Sequence, residues 1–109
     1  MSSKYHNHPV DGFDSISERN RWTELCLLER AGKITNLRRQ VRFPLVVNGK
    51  RVCDYIADFV YVENGTEVVE DVKGFATAVF KLKSKLFTAV YGKEINIINS
   101  GTHFRAGRV

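Results

Sequence analysis

Asp58, Asp71 and Lys73 are the residues of this chain whose types and spacing best suit chemistry. They lie in two runs of β-branched and aromatic residues, Tyr55-Ile56-Ala57-Asp58-Phe59-Val60 and Val68-Val69-Glu70-Asp71-Val72-Lys73-Gly74, with Asn64-Gly65 between them. Asn-Gly flanked by such runs is a strong β-hairpin signal. On a strand, residues two apart share a face, about 6.6 Å from each other at about 3.3 Å per residue. Asp71 and Lys73 therefore point the same way, and Glu70 points the other way. A hairpin that closes with Asp58 opposite this end gathers two carboxylates and an ammonium at one spot. Unpaired charge among Ile, Val and Phe is costly, so a strand that serves stability alone does not usually carry this set. Two carboxylates offer oxygen ligands to a hard divalent cation, and an ammonium beside them can neutralise developing negative charge. A solvated Asp–Lys pair on a surface hairpin fits the short motif equally well. The rest of the chain has to decide.

The elements that must position these residues can be read in order. Residues 1–12 mix Ser, Lys, Asn, His and Pro without periodicity and read as an extended arm, whose Lys4, Tyr5, His6 and His8 could touch a phosphate backbone. Asp14 or Ser15 caps a helix expected over about Ile16 to Ala31, with Glu18 in capping-box register and Gly32 as the stop. At about 100° per residue, Glu18, Trp22, Leu25 and Glu29 share one stripe, with Cys26 and Leu28 at its edges. Glu18 thus sits on the apolar stripe, for which a capping box or a place at the open end of the helix is a sufficient reason. Residues 34–47 read as a strand, in which Gln40 and Arg42 alternate with Val41 and Phe43. Arg38, Arg39 and Arg42 make the densest cationic patch, and planar guanidinium groups suit phosphate. A solvated sheet face accounts equally for any one of them. Pro44 points to a strand end or edge, and Asn48-Gly49 turns the chain into a strand over Val52–Val62.

Beyond Lys73, Gly74 permits a sharp turn and Thr77 caps a second helix from Ala78 to Tyr91, closed by Gly92. Its core stripe is expected to be Val79, Leu82, Leu86 and Val90, joined by Phe80 and Phe87. Lys81 and Lys85 share the outer face, as a solvated face or as the lining of a nucleic-acid groove, and Lys83 falls close to the apolar arc. Glu94 to Ile98 is a last short strand, and residues 100–109 form a basic tail with Arg105 and Arg108. The folded domain is thus expected over 13–99.

Composition sets the bounds. At 109 residues the chain is one domain with a modest core. Hydrophobic residues at 43% and charged residues at 27% are ordinary for a globular protein. No apolar run reaches the length of a transmembrane helix and no apolar stretch near Met1 resembles a secretion signal, so no membrane partner is expected. Seventeen Lys and Arg against twelve Asp and Glu give +5 and a pI near 9.4, which favours a polyanionic partner without requiring one. Cys26 and Cys53 are isolated and read as reduced thiols. With His6, His8 and His103 they match no common zinc spacing.

Asp58 followed by Asp71-Val72-Lys73 on the next strand resembles the PD-(D/E)XK nuclease core, and the order helix, strand, strand, strand, helix, strand is that of the same core. More narrowly, the chain resembles a small phage and prophage endonuclease family related to Holliday-junction resolvases and to transposon end-cutting nucleases. The stretches that carry this are Phe13-Asp14-Ser15, Glu18, Glu24-Leu25, Leu27 to Ile34, Gln40-Val41-Arg42-Phe43, Tyr55 to Tyr61 and Val69 to Gly74. They span about residues 4–98 and are specific in this order, though none is specific alone. The proline that precedes the first Asp in the signature is absent, with Ala57 in its place. Glu70 or Asp71 could be named the second acid; alternation from Lys73 favours Asp71.

The resemblance implies an α/β (α+β) fold with a restriction-endonuclease-like core, a central mixed sheet of about four strands flanked by two helices. It implies a Mg²⁺- or Mn²⁺-dependent endonuclease that hydrolyses phosphodiester bonds in branched or recombining phage DNA, acting as a homodimer in the cytoplasm of a bacterial host. Asp58, Asp71 and Lys73 are then catalytic, Glu18 a third carboxylate from the first helix, and Gln40 a helper on the adjacent strand. Metal would sit on Asp58, Asp71 and Glu18, and DNA on Arg38, Arg39, Arg42, Lys81 and Lys85. Glu70, facing away, is expected to be dispensable to the chemistry. The rival from another class is a non-catalytic DNA-binding module that kept the fold, against which the intact acid–acid–lysine set speaks. A regulatory phage protein that binds a host partner has no positive feature in the sequence.

Overall fold

Two Asn-Gly pairs set the sheet. Asn48 and Gly49 have φ of 50° and 77°, and Asn64 and Gly65 have φ of 53° and 77°. Left-handed backbone at both central residues is what the tightest hairpin turn requires. The flanking pairs Val47–Lys50 and Glu63–Thr66 close directly on these two-residue loops. The structure is a computed structural model and describes residues 12–99. The tail expected over 100–109, and the arm expected over 1–12 apart from Gly12, lie outside them.

The chain runs α1 (Ile16–Arg30), β1 (Thr35–Val47), β2 (Lys50–Glu63), β3 (Thr66–Lys73), α2 (Ala78–Tyr91) and β4 (Ile95–Asn99). The sheet order is β1-β2-β3-β4. The first three strands pair antiparallel, and β4 returns parallel to β3 after the α2 crossover. This is the expected α+β fold, a mixed four-stranded sheet with two helices, and a restriction-endonuclease-like core is compatible with it. No described helix is long and apolar enough to cross a membrane.

Each helix covers one face. On one side Leu25 of α1 packs with Phe13, Ile34, Phe59 and Tyr61, and Trp22 stacks on Phe59 with ring centroids 5.7 Å apart. On the other, Phe87 of α2 packs with Leu45, Tyr55, Ala57, Val60, Val69 and Ile95. The expected stripe on α2 needs correction. Val79 and Leu82 are exposed, Phe87 is the buried residue of α2 with Phe80 and Leu86 partly buried against the same core, and the exposed Tyr91 stacks on Phe87. The larger rings win the core because each removes more apolar area from water. Pro44 lies inside β1 and not at its end, which an edge strand tolerates; the Tyr91 hydroxyl donates to its carbonyl at 2.7 Å.

Both helices start on the expected caps. The Ser15 hydroxyl accepts from Glu18 N–H at 3.0 Å and that of Thr77 from Phe80 N–H at 3.1 Å. Ser15→Ala is expected to cost about 1 kcal/mol, a fall of roughly 4–8 °C in thermal midpoint for a domain of this size. A scan that shows no change would mean that the α1 start is fixed by packing alone.

Candidate active site

The site forms where the sheet parts. β2 and β3 pair only as far as Phe59–Glu70, whereas β3 continues beside β4 to Lys73–Asn99. Past that point the Val72 N–H is taken by a side chain: Asp58 Oδ2 accepts it at 2.8 Å. The alternation of β2 also breaks at Asp58. Ala57 belongs to the α2-side core and Phe59, two residues on, to the α1-side core. The partner strand does the same at the facing position, since Arg39 pairs with Phe59 and Val41 with Ala57. Gln40, between them, has φ of 52°, a left-handed backbone that costs a non-glycine residue of order 1 kcal/mol or more. As a result Arg39 and Gln40 both reach the α1 side, and Val41 turns to the other.

Around this break the carboxylates gather. Asp71 is buried on the α2 side, where the Tyr55 hydroxyl donates to its Oδ2 at 2.5 Å and Lys73 Nζ lies 3.1 Å from its Oδ1. Lys73 Nζ also stands 4.3 Å above the Phe80 ring. Burial pushes the Asp58 carboxyl up to about 8, and the Asp71 carboxylate beside it pushes the same way, with Glu18 adding to it. Glu18 is buried at the start of α1, and burial raises its carboxyl too, helped by Asp14 and Asp71 and opposed by Arg39 and Lys73. Burial and Asp71 likewise hold the Tyr55 phenol well above its ordinary range. Gln40 Nε2 donates to Glu18 Oε2 at 3.4 Å. Glu18, Asp58 and Lys73 line an open cleft of about 550 Å³ with Phe75 at its mouth. Asp71, Tyr55 and Lys83 line a smaller depression of about 270 Å³, and Lys73 borders both.

Asp71 raises both Asp58 and Glu18, and carboxylates crowded in this way suit a cation, because like charges at close range disfavour ionisation until a positive charge joins them. As they stand, however, no three His, Cys, Asp or Glu side chains among the described residues are placed to hold a metal ion. The donor chemistry fits a hard divalent ion, all oxygen and anionic. Its geometry is that of an Asp58–Asp71 pair with Glu18 nearby.

The other predicted residues are not brought together. Arg38 pairs with Glu67 at 3.3 Å, on the part of β3 that also pairs with Lys93. Arg39 lies flat on Phe13, 3.7 Å from its centroid, donates to Gly12 O at 3.0 Å, and has a buried Nε with no partner among the described residues. Arg42 binds Asp54 at 2.5 Å, and Arg51 binds the same carboxylate at 2.6 Å. The expected arginine patch is therefore three separate interactions. Lys81 and Lys85 are exposed on α2, as expected.

Glu70 faces away from Asp71, as alternation requires, but it is no bland position. Fully buried, it accepts two bonds from Arg21, at 2.9 Å from Nε and 2.7 Å from Nη2, and a third from the Tyr61 hydroxyl. Burial opposes the Arg21 charge, but the bonds to Glu70 outweigh it and raise the guanidinium further. Arg21 went unremarked in the sequence because nothing local marks a partner 49 residues away. Nothing local in the strand marks Tyr55 either as the residue whose hydroxyl meets Asp71, 16 residues on.

A family model described as a protein of unknown function (DUF1064) matches residues 2–103 of the chain. No curated protein matches it.

Proposed function

The chain belongs to the DUF1064 family, and we propose that it is a metal-dependent DNA endonuclease of the PD-(D/E)XK type. The observation that carries the reading is the Asp58–Asp71 pair with Lys73 beside it, opening through Glu18 into a cleft. A Mg²⁺ or Mn²⁺ ion on Asp58 and Asp71, with Glu18 as third carboxylate, would supply a polarised phosphate and a water acidic enough to attack it. The chain's own residues do the rest. The Val72 N–H fixes Asp58, Tyr55 fixes Asp71, and Gln40 steadies Glu18. Lys73, the cation beside Asp71 that borders both depressions, neutralises charge developing on phosphate in a partly water-excluded setting. The small surface of the domain favours recognition of DNA structure, by a homodimer, over reading of a long sequence.

Metal binding is testable without cleavage. In chelator, Asp58→Asn relieves the crowding of acids and is expected to be more stable than the parent by about 1 kcal/mol, roughly 4–8 °C. Mn²⁺ raises the midpoint of the parent and leaves that of the variant unchanged. A parent midpoint that ignores Mn²⁺ and Mg²⁺ counts against the metal site.

The DNA contacts expected of Arg38, Arg39 and Arg42 now rest on arginines that are already engaged, so Lys81 and Lys85 carry the phosphate prediction. Replacing both by Ala removes two contacts and flattens the log–log salt slope of duplex binding by about 1.8, at about 0.9 per contact. An unchanged slope places the DNA on another face.

A further inference from the structure

The mouth of the cleft carries a ring that nothing covers among the described residues. Phe75 is 80% exposed, and Val79 and Leu82, one turn apart on α2, are 64% and 67% exposed. Phe75 lines the same cleft as Glu18, Asp58 and Lys73, one residue past Gly74. A core role for this ring is excluded by its exposure; a single exposed apolar residue is ordinary, but this one lines the cleft that holds the acids, and exposed apolar surface at a binding groove marks a partner site. The choice of partner follows from charge. Helix α2 contains Lys81, Lys83 and Lys85 and no acidic residue. At about 100° per residue, Lys83 stands next to Val79 on one side, and Lys85 and then Lys81 lie next to Leu82 on the other. Two copies joined across this face would set lysine against lysine. A polyanion with apolar surfaces of its own is complementary to it, and unpaired nucleobases on a phosphate backbone are that ligand.

Resting on the nuclease reading, we infer that Phe75 stacks on an unpaired or end-exposed base at a break in duplex DNA, with the exposed Val79 and Leu82 on the helix that follows, and so selects branched over continuous duplex. In continuous duplex every base face is already stacked, so the ring gains nothing without paying to unstack a step. At a fork or junction a base face is open. Base–aromatic stacking strengths of the usual size correspond to roughly 5- to 100-fold in affinity.

The experiment is binding in chelator, so that no cutting is needed for a signal. A forked duplex with 2-aminopurine at the branch nucleotide is compared with a continuous duplex that carries it at the same position. Fluorescence quenching and affinity are read for the parent, Phe75→Ala and Phe75→Trp. The expected result is quenching on the fork only, lost in Phe75→Ala with a roughly 5- to 100-fold weaker fork affinity, duplex affinity held within about twofold, and recovery in Phe75→Trp. Equal weakening on both DNAs, no change on either, or loss of a dimer in sedimentation with unchanged fork binding would each overturn the inference. Absence of cleavage in Mg²⁺ with this pattern intact would instead refute only the catalytic reading.

Discussion

Asp71→Asn and Lys73→Ala are expected to lose the proposed DNA cleavage while still binding DNA. Asp71→Asn keeps the side-chain size and an oxygen for the Tyr55 hydroxyl, which now bonds Asp71 at 2.5 Å, but removes the charge that would hold the metal. Lys73→Ala removes the cation 3.1 Å from Asp71 and leaves every carboxylate. Loss of one preorganised stabilising group typically costs about 100- to 1000-fold in rate, and loss of a metal ligand is expected to cost more. Asp71→Asn should bind DNA at least as tightly as the parent, since a charge that repels phosphate is gone. Single-turnover cleavage and filter binding on the same DNA separate the two effects. If both variants cut at parental rate, the assignment of this pair is wrong.

The second large effect is on stability and lies on the opposite side of β3. Arg21→Met leaves the fully buried Glu70 without the two bonds it receives from Arg21. Breaking a buried pair in this way typically costs about 3–5 kcal/mol, a large share of the stability of a domain this size. Denaturant melts measure it. Arg21→Met combined with Glu70→Leu and Tyr61→Phe should recover much of the loss, because an apolar trio of similar volume leaves no orphaned charge. Equal destabilisation in the single and triple variants would mean that packing and not charge is at stake. Glu70→Gln is still expected to keep most of its activity, since Glu70 faces away from Asp71, and any loss has to be read against the stability that weakening its bonds from Arg21 costs.

The contrast between Asp71 and Glu70 explains what a sequence of this kind reveals. Strand alternation and two Asn-Gly turns are local, so the hairpin, the facing of Asp71 and Lys73, and both helix caps could be read from neighbours in the chain. The α2 core stripe could not. Its apolar residues surround much of the helix, and which of them is buried depends on the rings of β1 and β2 beneath. The break at Gln40 and Asp58 left no mark either, because the left-handed residue is Gln40 and glutamine is not one that usually signals such backbone. That break takes both strands out of alternation at one level, and it brings Asp58 to the gap where Val72 and Asp71 meet it. The arginines misled for a related reason: sequence density shows cations close along the chain, but Glu67, Phe13 and Asp54 draw the three apart.

The central claim is hydrolysis of phosphodiester bonds by this acid cluster, and one assay meets it directly. End-labelled linear, flapped and four-way DNA is incubated with the parent protein in Mg²⁺, in Mn²⁺ and in excess chelator, with Asp71→Asn purified alongside. The account predicts discrete cleavage products with either metal, strongest on the branched DNAs, and none with chelator or with the variant. Products that persist undiminished in chelator, or that the Asp71→Asn preparation generates equally well, would contradict it.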